Sequence, residues 1–208
     1  RVTPADRELP ALAQVPVDEF TLATWNVENL FDIMLPHPSD PGLPTAGEYE
    51  IDLKKVANTL VAAGAPTVVG FQEVENQDIL EDLVAEEALR AYQYQPLLLE
   101  GTDSRGIDVG YLVRGDQARV LEVEQYPAPE GLTSRPPLMV RLGFGEGDDA
   151  QQVIVLNNHF TSMSGGEEAT EPRRTAQAAW NVEVLEGLRE EYPEALFETA
   201  FFNPLRDK

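Results

Sequence analysis

Thr67 to Phe71 is a short apolar run, preceded by the helix-stop pair Gly64 and Pro66 and followed at once by Gln72 and Glu73. A run of five residues with no polar alternation is too short for a helix. It is also too uniformly apolar for a strand with one wet face, so it predicts a strand covered on both sides. The chain must therefore supply a layer above and a layer below it. Tyr49, Leu53, Val56, Leu60 and Ala63 recur at helical spacing, Ile79, Leu80, Leu83, Val84 and Leu89 mark a second helix within 76–91, and a third runs from about 173 to 192, where Pro193 stops it. Further strands are expected at 20–26, 94–100, 107–113, 119–126, 138–143 and 152–158, set off by Gly, Pro and Asp clusters. Helices interleaved with strands early, and strands bunched in the middle, predict an α/β sandwich of two packed sheets with helices outside.

Residues 1–18 carry Pro4, Pro10 and Pro16 without an apolar period and read as an extended N-terminal arm, with 19–208 as one domain. The Pro-rich stretch 34–47 reads as a long loop, and His37, lying between two of its prolines, is expected to be solvated. The composition, 42% hydrophobic and 25% charged over 208 residues, excludes disordered and fibrous classes. No apolar run approaches the ~20 residues of a membrane span. With no cysteine there is no disulfide-linked partner, thiolate zinc site or cysteine nucleophile. The net charge of −22 argues against a binder that holds nucleic acid by Lys and Arg alone. A polyanionic substrate would need bridging divalent cations, whereas on composition alone the simpler reading is that the charge maintains solubility. A chain that starts at Arg1 reads as processed or trimmed, in keeping with a secreted or cell-envelope protein.

Polar residues cluster at the ends of four expected strands. Asn26 and Glu28 leave the first, Gln72 and Glu73 end the apolar run, Asp108 alternates with apolar neighbours after Arg105, and Asn157, Asn158 and His159 end an apolar strand. Each has a plain structural reading. Asn26 suits a turn, Glu73 a helix N-terminus, His159 a hydrogen-bonded strand end, and Asp108 with Arg105 a surface ion pair. Taken together, two acids, amides and an imidazole at strand termini suit metal-assisted phosphoester hydrolysis, because Mg²⁺ needs only one or two protein carboxylates beside the substrate phosphate.

The strings TWNVENLFD, VVGFQEVEN, SRGIDVGYLVR and VIVLNNHFTS occur in this order between about Phe20 and Tyr192, and here the chain resembles the endonuclease/exonuclease/phosphatase superfamily, the DNase I-like fold. The resemblance implies a four-layer sandwich of two mixed β-sheets flanked by helices. It matches Glu73 to a metal-binding glutamate and Asn26 to the asparagine beside metal and phosphate. His159 matches the histidine that contacts the phosphate or protonates the leaving oxygen, and Asp108 the acid that orients it and would raise its pKa from about 6.5. Arg105 and Asn158 fall to phosphate binding. The implied cofactor is Mg²⁺, with Mn²⁺ or Ca²⁺ as alternatives. The implied activity is phosphodiester hydrolysis with nucleic acid as substrate; a phosphatase or phospholipase-type activity, or a catalytically dead binding domain, are the alternatives. Two family motifs depart. Where Gly-Asp-x-Asn is expected the chain reads Ala200-Phe201-Phe202-Asn203, which keeps a candidate catalytic Asn203 but puts Phe in place of Asp, and no Ser-Asp-His follows. The domain is therefore expected to lack its C-terminal strands.

Overall fold

The computed structural model describes residues 20–39, 42–145 and 150–201. The expected arm over 1–18, and Asn203, lie outside the described residues. Two four-stranded sheets face each other. One has the order β1-β2-β4-β3 and comprises Leu22–Leu30 (β1), Val68–Val74 (β2), Tyr94–Leu98 (β3) and Asp108–Arg114 (β4). The other comprises Arg119–Gln125 (β5), Leu138–Phe144 (β6), Gln151–Asn158 (β7) and Leu196–Phe201 (β8), in that spatial order. The pairs β1/β2 and β7/β8 run parallel and the others antiparallel, so both sheets are mixed.

The apolar run is buried on both faces because β2 is an inner strand of an inner layer. Alternate side chains of a strand point to opposite faces. Val69 and Phe71 join Leu53, Val56 and Leu60 of helix α1 (Ala46–Ala62) and Ile79, Leu80 and Leu83 of α2 (Gln77–Ala85), while Val68 faces the other sheet. On β7 the same division sends Val153 and Val155 inward, and Ile154 and Leu156 outward against Val184 and Leu188 of α3 (Glu167–Glu191). Three apolar cores thus separate four layers: helices, sheet, sheet, helix.

Helix ends follow local chemistry. Thr45 and Glu48 form a capping box at the start of α1, and the Asn76 side chain accepts from Ile79 N to start α2. α2 stops at Ala85, short of the expected 91, and Leu89 reaches the core ahead of a 3-10 turn over Arg90–Tyr92. α3 begins at Glu167, before the expected 173, with Pro172 inside it. Its buried stripe of Gln177, Asn181, Val184 and Leu188 keeps the helical period beyond that proline. β1 continues through Asn26 to Leu30 where it was expected to end, because Glu28 and Asn29 take positive φ (58° and 59°) and the ladder to β2 shifts register there. β8 pairs with β7 so that Phe201 stands opposite Asn158.

Polar contacts cross the gap between the sheets. Asn157 Nδ2 donates to Phe71 O (2.9 Å) and Gly110 O (3.0 Å), and its Oδ1 accepts from Gln72 Nε2 at 2.7 Å. The Tyr111 hydroxyl lies 2.8 Å from Leu138 O and 2.9 Å from Val155 O. No helix among the described residues is long and apolar enough to cross a membrane.

Candidate active site

Glu73 departs from regular strand geometry. Its φ is 66°, and the register between β2 and β4 shifts between Gln72 and Val74. A left-handed non-glycine residue at a bulge costs backbone strain and redirects a side chain. Here the Glu73 carboxylate accepts from Asn26 Nδ2 at 2.9 Å and lies 3.4 Å from His159 Nε2. Asn26 is itself held by a local turn, its Oδ1 accepting from Glu28 N at 2.8 Å. The turn reading of Asn26 holds, and the same side chain contacts Glu73.

His159 follows the last residue of β7 and is buried. Gln177 of α3 fixes the turn beyond it, accepting from Thr161 N at 2.9 Å and donating to Leu132 O at 3.0 Å. Burial, with the charges of Arg135 and Arg105, pushes the imidazole pKa down to about 3 against the opposing charge of Asp103. This corrects the expectation that Asp108 raises it. Asp108 Oδ1 instead accepts from Gly101 N at 2.9 Å, and among the described residues no hydrogen bond or ion pair joins it to His159. A Cβ on Gly101 would fall 2.4 Å from that oxygen, so only glycine permits the approach. Burial, a hydrogen bond with Glu100 and the charges of Glu100 and Asp103 push the Asp108 pKa up to about 7, against the opposing Gly101 hydrogen bond.

Arg135 was not among the expected residues. It is nearly buried, its Nη1 lies 2.9 Å from Asp103 Oδ2, and it lines one small cavity with Asn158 and His159. Burial lowers its pKa. A search restricted to the C-terminal ends of strands passes over it, since Arg135 precedes β6. Because β6 and β7 are antiparallel, with Leu138 opposite Asn157, the start of β6 and the end of β7 share one edge. Arg105 approaches the same aspartate from a half-exposed position, with Nε 3.5 Å from Asp103 Oδ1. Asn158 is buried and donates to Leu156 O.

His37, expected in solvent, is buried. Its Nδ1 accepts from Ser39 N at 3.1 Å, its Nε2 lies 3.6 Å from Glu75 Oε1, and its ring meets Phe31 edge-on at 4.5 Å. The proline loop folds back over Gly106, whose φ is +68° and where a Cβ would press on Pro38 and the His37 ring.

Among the described residues no three His, Asp or Glu side chains converge as a cation cage. The donors present are the partly exposed Glu73 carboxylate and the Asn26 amide oxygen. That set fits a Mg²⁺ that takes one protein carboxylate and completes its octahedron with water and phosphate oxygens.

Residues 21–197 match a profile described as the Endonuclease/Exonuclease/phosphatase family. No curated protein sequence matches the chain. Among solved structures it is similar to D. rerio TDP2 complexed with single strand DNA product, at 23% identity and a TM-score of 0.60, over 90% of this chain and 62% of that one. It is also similar to the human nocturnin catalytic domain with bound sulfate anion (13% identity, TM-score 0.53, 85% of this chain and 62% of that one). The third is a Bacteroides thetaiotaomicron mannosyl-6-phosphatase (16% identity, TM-score 0.53, 88% and 64%). The chain spans less than two thirds of the length of each of these structures, and the likeness shows the fold.

Proposed function

The chain belongs to the endonuclease/exonuclease/phosphatase family, and from that premise we propose that the edge shared by β1, β2 and β7 hydrolyses phosphoesters, with a phosphodiester of DNA or RNA as the leading substrate. Family members are hydrolases acting on phosphoesters and generally use divalent metals. The observation that carries the reading is the convergence of Asn26, Glu73 and His159, drawn from both sheets, on one point.

In this reading Glu73 and Asn26 hold Mg²⁺, which when bound neutralises charge developing on the phosphate oxygens. His159 is neutral in the free protein, so it enters as a hydrogen-bond donor through Nε2 toward a phosphate or leaving oxygen. Arg135 and Arg105 offer cationic groups to the non-bridging oxygens, a local reversal of sign in a strongly acidic protein. Asn158 lines one cavity with Arg135 and His159. Asp108 acts on the site indirectly, by fixing the chain at Gly101. The DNA product in the TDP2 structure supports nucleic acid as the substrate class, and the mannosyl-6-phosphatase supports a phosphomonoester. Phe201, opposite Asn158 where the resemblance expects an aspartate, favours a second reading, a domain that binds phosphoesters without cleaving them.

Plasmid DNA and bis-p-nitrophenyl phosphate, each with Mg²⁺ or with EDTA, separate the readings. Cleavage that needs Mg²⁺ and disappears in Glu73→Gln is the expected result. Mg²⁺-dependent binding without turnover would move the conclusion to the binding domain, and neither binding nor cleavage would sink both.

A further inference from the structure

A cavity of about 10 Å³ is lined by Thr133, Arg135, Asn158, His159, Trp180 and Asn181 among others. Five buried polar atoms of these residues have no protein partner: Arg135 Nε, Trp180 Nε1, Asn158 Oδ1, His159 Nδ1 and Asn181 Oδ1. Their hydrogen-bonding sense is fixed by neighbours. Asn158 Nδ2 donates to Leu156 O and Asn181 Nδ2 donates to Gln177 O, which leaves both amide oxygens as acceptors. His159 Nε2 faces a carboxylate that can only accept, so the ring hydrogen belongs on Nε2 and Nδ1 accepts. The indole and guanidinium nitrogens only donate. Two donors and three acceptors without protein partners therefore belong to residues that line one cavity.

A water molecule accepts two hydrogen bonds and donates two, and needs ~10–15 Å³ of such a cavity together with two to four polar partners. The match in size and in sense is the argument. We propose that this cavity binds one structural water, and that Trp180 and Asn181 act through it as positioning residues that keep the His159 imidazole in its Nε2-protonated form, turned toward Glu73. Trp180 Nε1 and Arg135 Nε donate to the water, which donates to His159 Nδ1 and to an asparagine oxygen. α3 thereby reaches the reacting edge without touching substrate. This role rests on the phosphoesterase reading; the water site itself does not.

Long-range ¹⁵N–¹H spectra of the imidazole at neutral pH, with a crystal structure that shows ordered solvent, test the proposal on the whole chain. The wild type is expected to hold His159 as a single Nε2–H tautomer, with a water in hydrogen-bond reach of Trp180 Nε1 and His159 Nδ1. Trp180→Phe keeps an aromatic ring but removes the donor, and should yield a tautomer mixture and a kcat lower by about 3- to 10-fold at unchanged KM. Asn181→Leu, which fills the space, should act in the same direction if the indole variant folds poorly. A dry cavity, or two variants that both keep the wild-type tautomer, would overturn the inference. An inactive protein that shows the water and the tautomer shifts would support it while sinking the hydrolysis reading.

Discussion

Both histidines are buried beside a glutamate from the end of β2, His37 at 3.6 Å from Glu75 and His159 at 3.4 Å from Glu73, yet their surroundings differ. Around His37 the neighbours bond to one another, while its own Nε2, like Nδ1 of His159, has no hydrogen-bond partner. Ser39 N donates to its Nδ1, Glu75 Oε2 accepts from Asp32 N, and Asn76 Nδ2 donates to Asp32 Oδ2. Around His159 a strained Glu73 bonds to one amide, and the ring lines a small cavity together with Arg135. A buried His–Glu pair is therefore not itself a sign of catalysis. What separates the two is the charge around them: His159 lies near Arg135 and Arg105 and beside a strained carboxylate, His37 among acids and an amide.

The largest expected effect breaks this comparison if it fails. His159→Ala should lower kcat for phosphodiester cleavage by about 10²–10⁴-fold with little change in the thermal midpoint. His37→Ala should do the reverse, lowering stability by about 1–3 kcal/mol in denaturant titration, because a buried ring packed on Phe31 is removed, and leaving kcat close to wild type. An active-site loss in His37→Ala with an intact fold would erase the distinction.

Two smaller effects sharpen it through pH. The His159 pKa is about 3 in the folded protein against an ordinary 6.5, so the unfolded chain takes up the proton first and stability is lost as pH falls through that interval. Urea titrations of His159→Gln between those limits should show a flatter profile than wild type. Asp108 has the opposite sign. Its folded pKa of about 7 lies above the ordinary 3.8, so the folded state holds the proton and stability is lost as pH rises from about 4 to about 7. Asp108→Asn, which mimics the protonated acid, should gain on wild type from pH 5 to pH 8. A constant difference across that range would show that Asp108 does not titrate there.

Much of the fold was legible because burial writes itself into period. The doubly covered β2, the apolar run of β7 and the apolar stripe of α1 all stand in the sequence. What escaped depends on contacts distant in sequence or on backbone conformation. Nothing in Glu28 or Glu73 as residue types announces positive φ, and asparagine, the type at Asn29, tolerates it in many turns, yet these angles extend β1 and aim the carboxylate. His37 was misplaced because prolines on either side suggest exposure, whereas the loop returns to pack on Gly106. Arg135 was missed because antiparallel pairing brings a strand's beginning to the edge where another ends. The start of α3 was expected at about 173, but the helix begins at Glu167 and carries Pro172 within it.

The amide of Asn157 has a mechanical consequence. Asn26 and Glu73 ride on one sheet, His159 and Arg135 on the other, so any shear between the sheets would pull the reacting groups apart. Asn157 bridges that seam with three hydrogen bonds in the dry interior, two of them to main-chain carbonyls of the opposite sheet, and works as a dowel pin between two plates. Backbone amides of β2, β4 and β7 around the pin should exchange with solvent only when the whole sandwich opens. The alignment of the site then lasts as long as the fold itself.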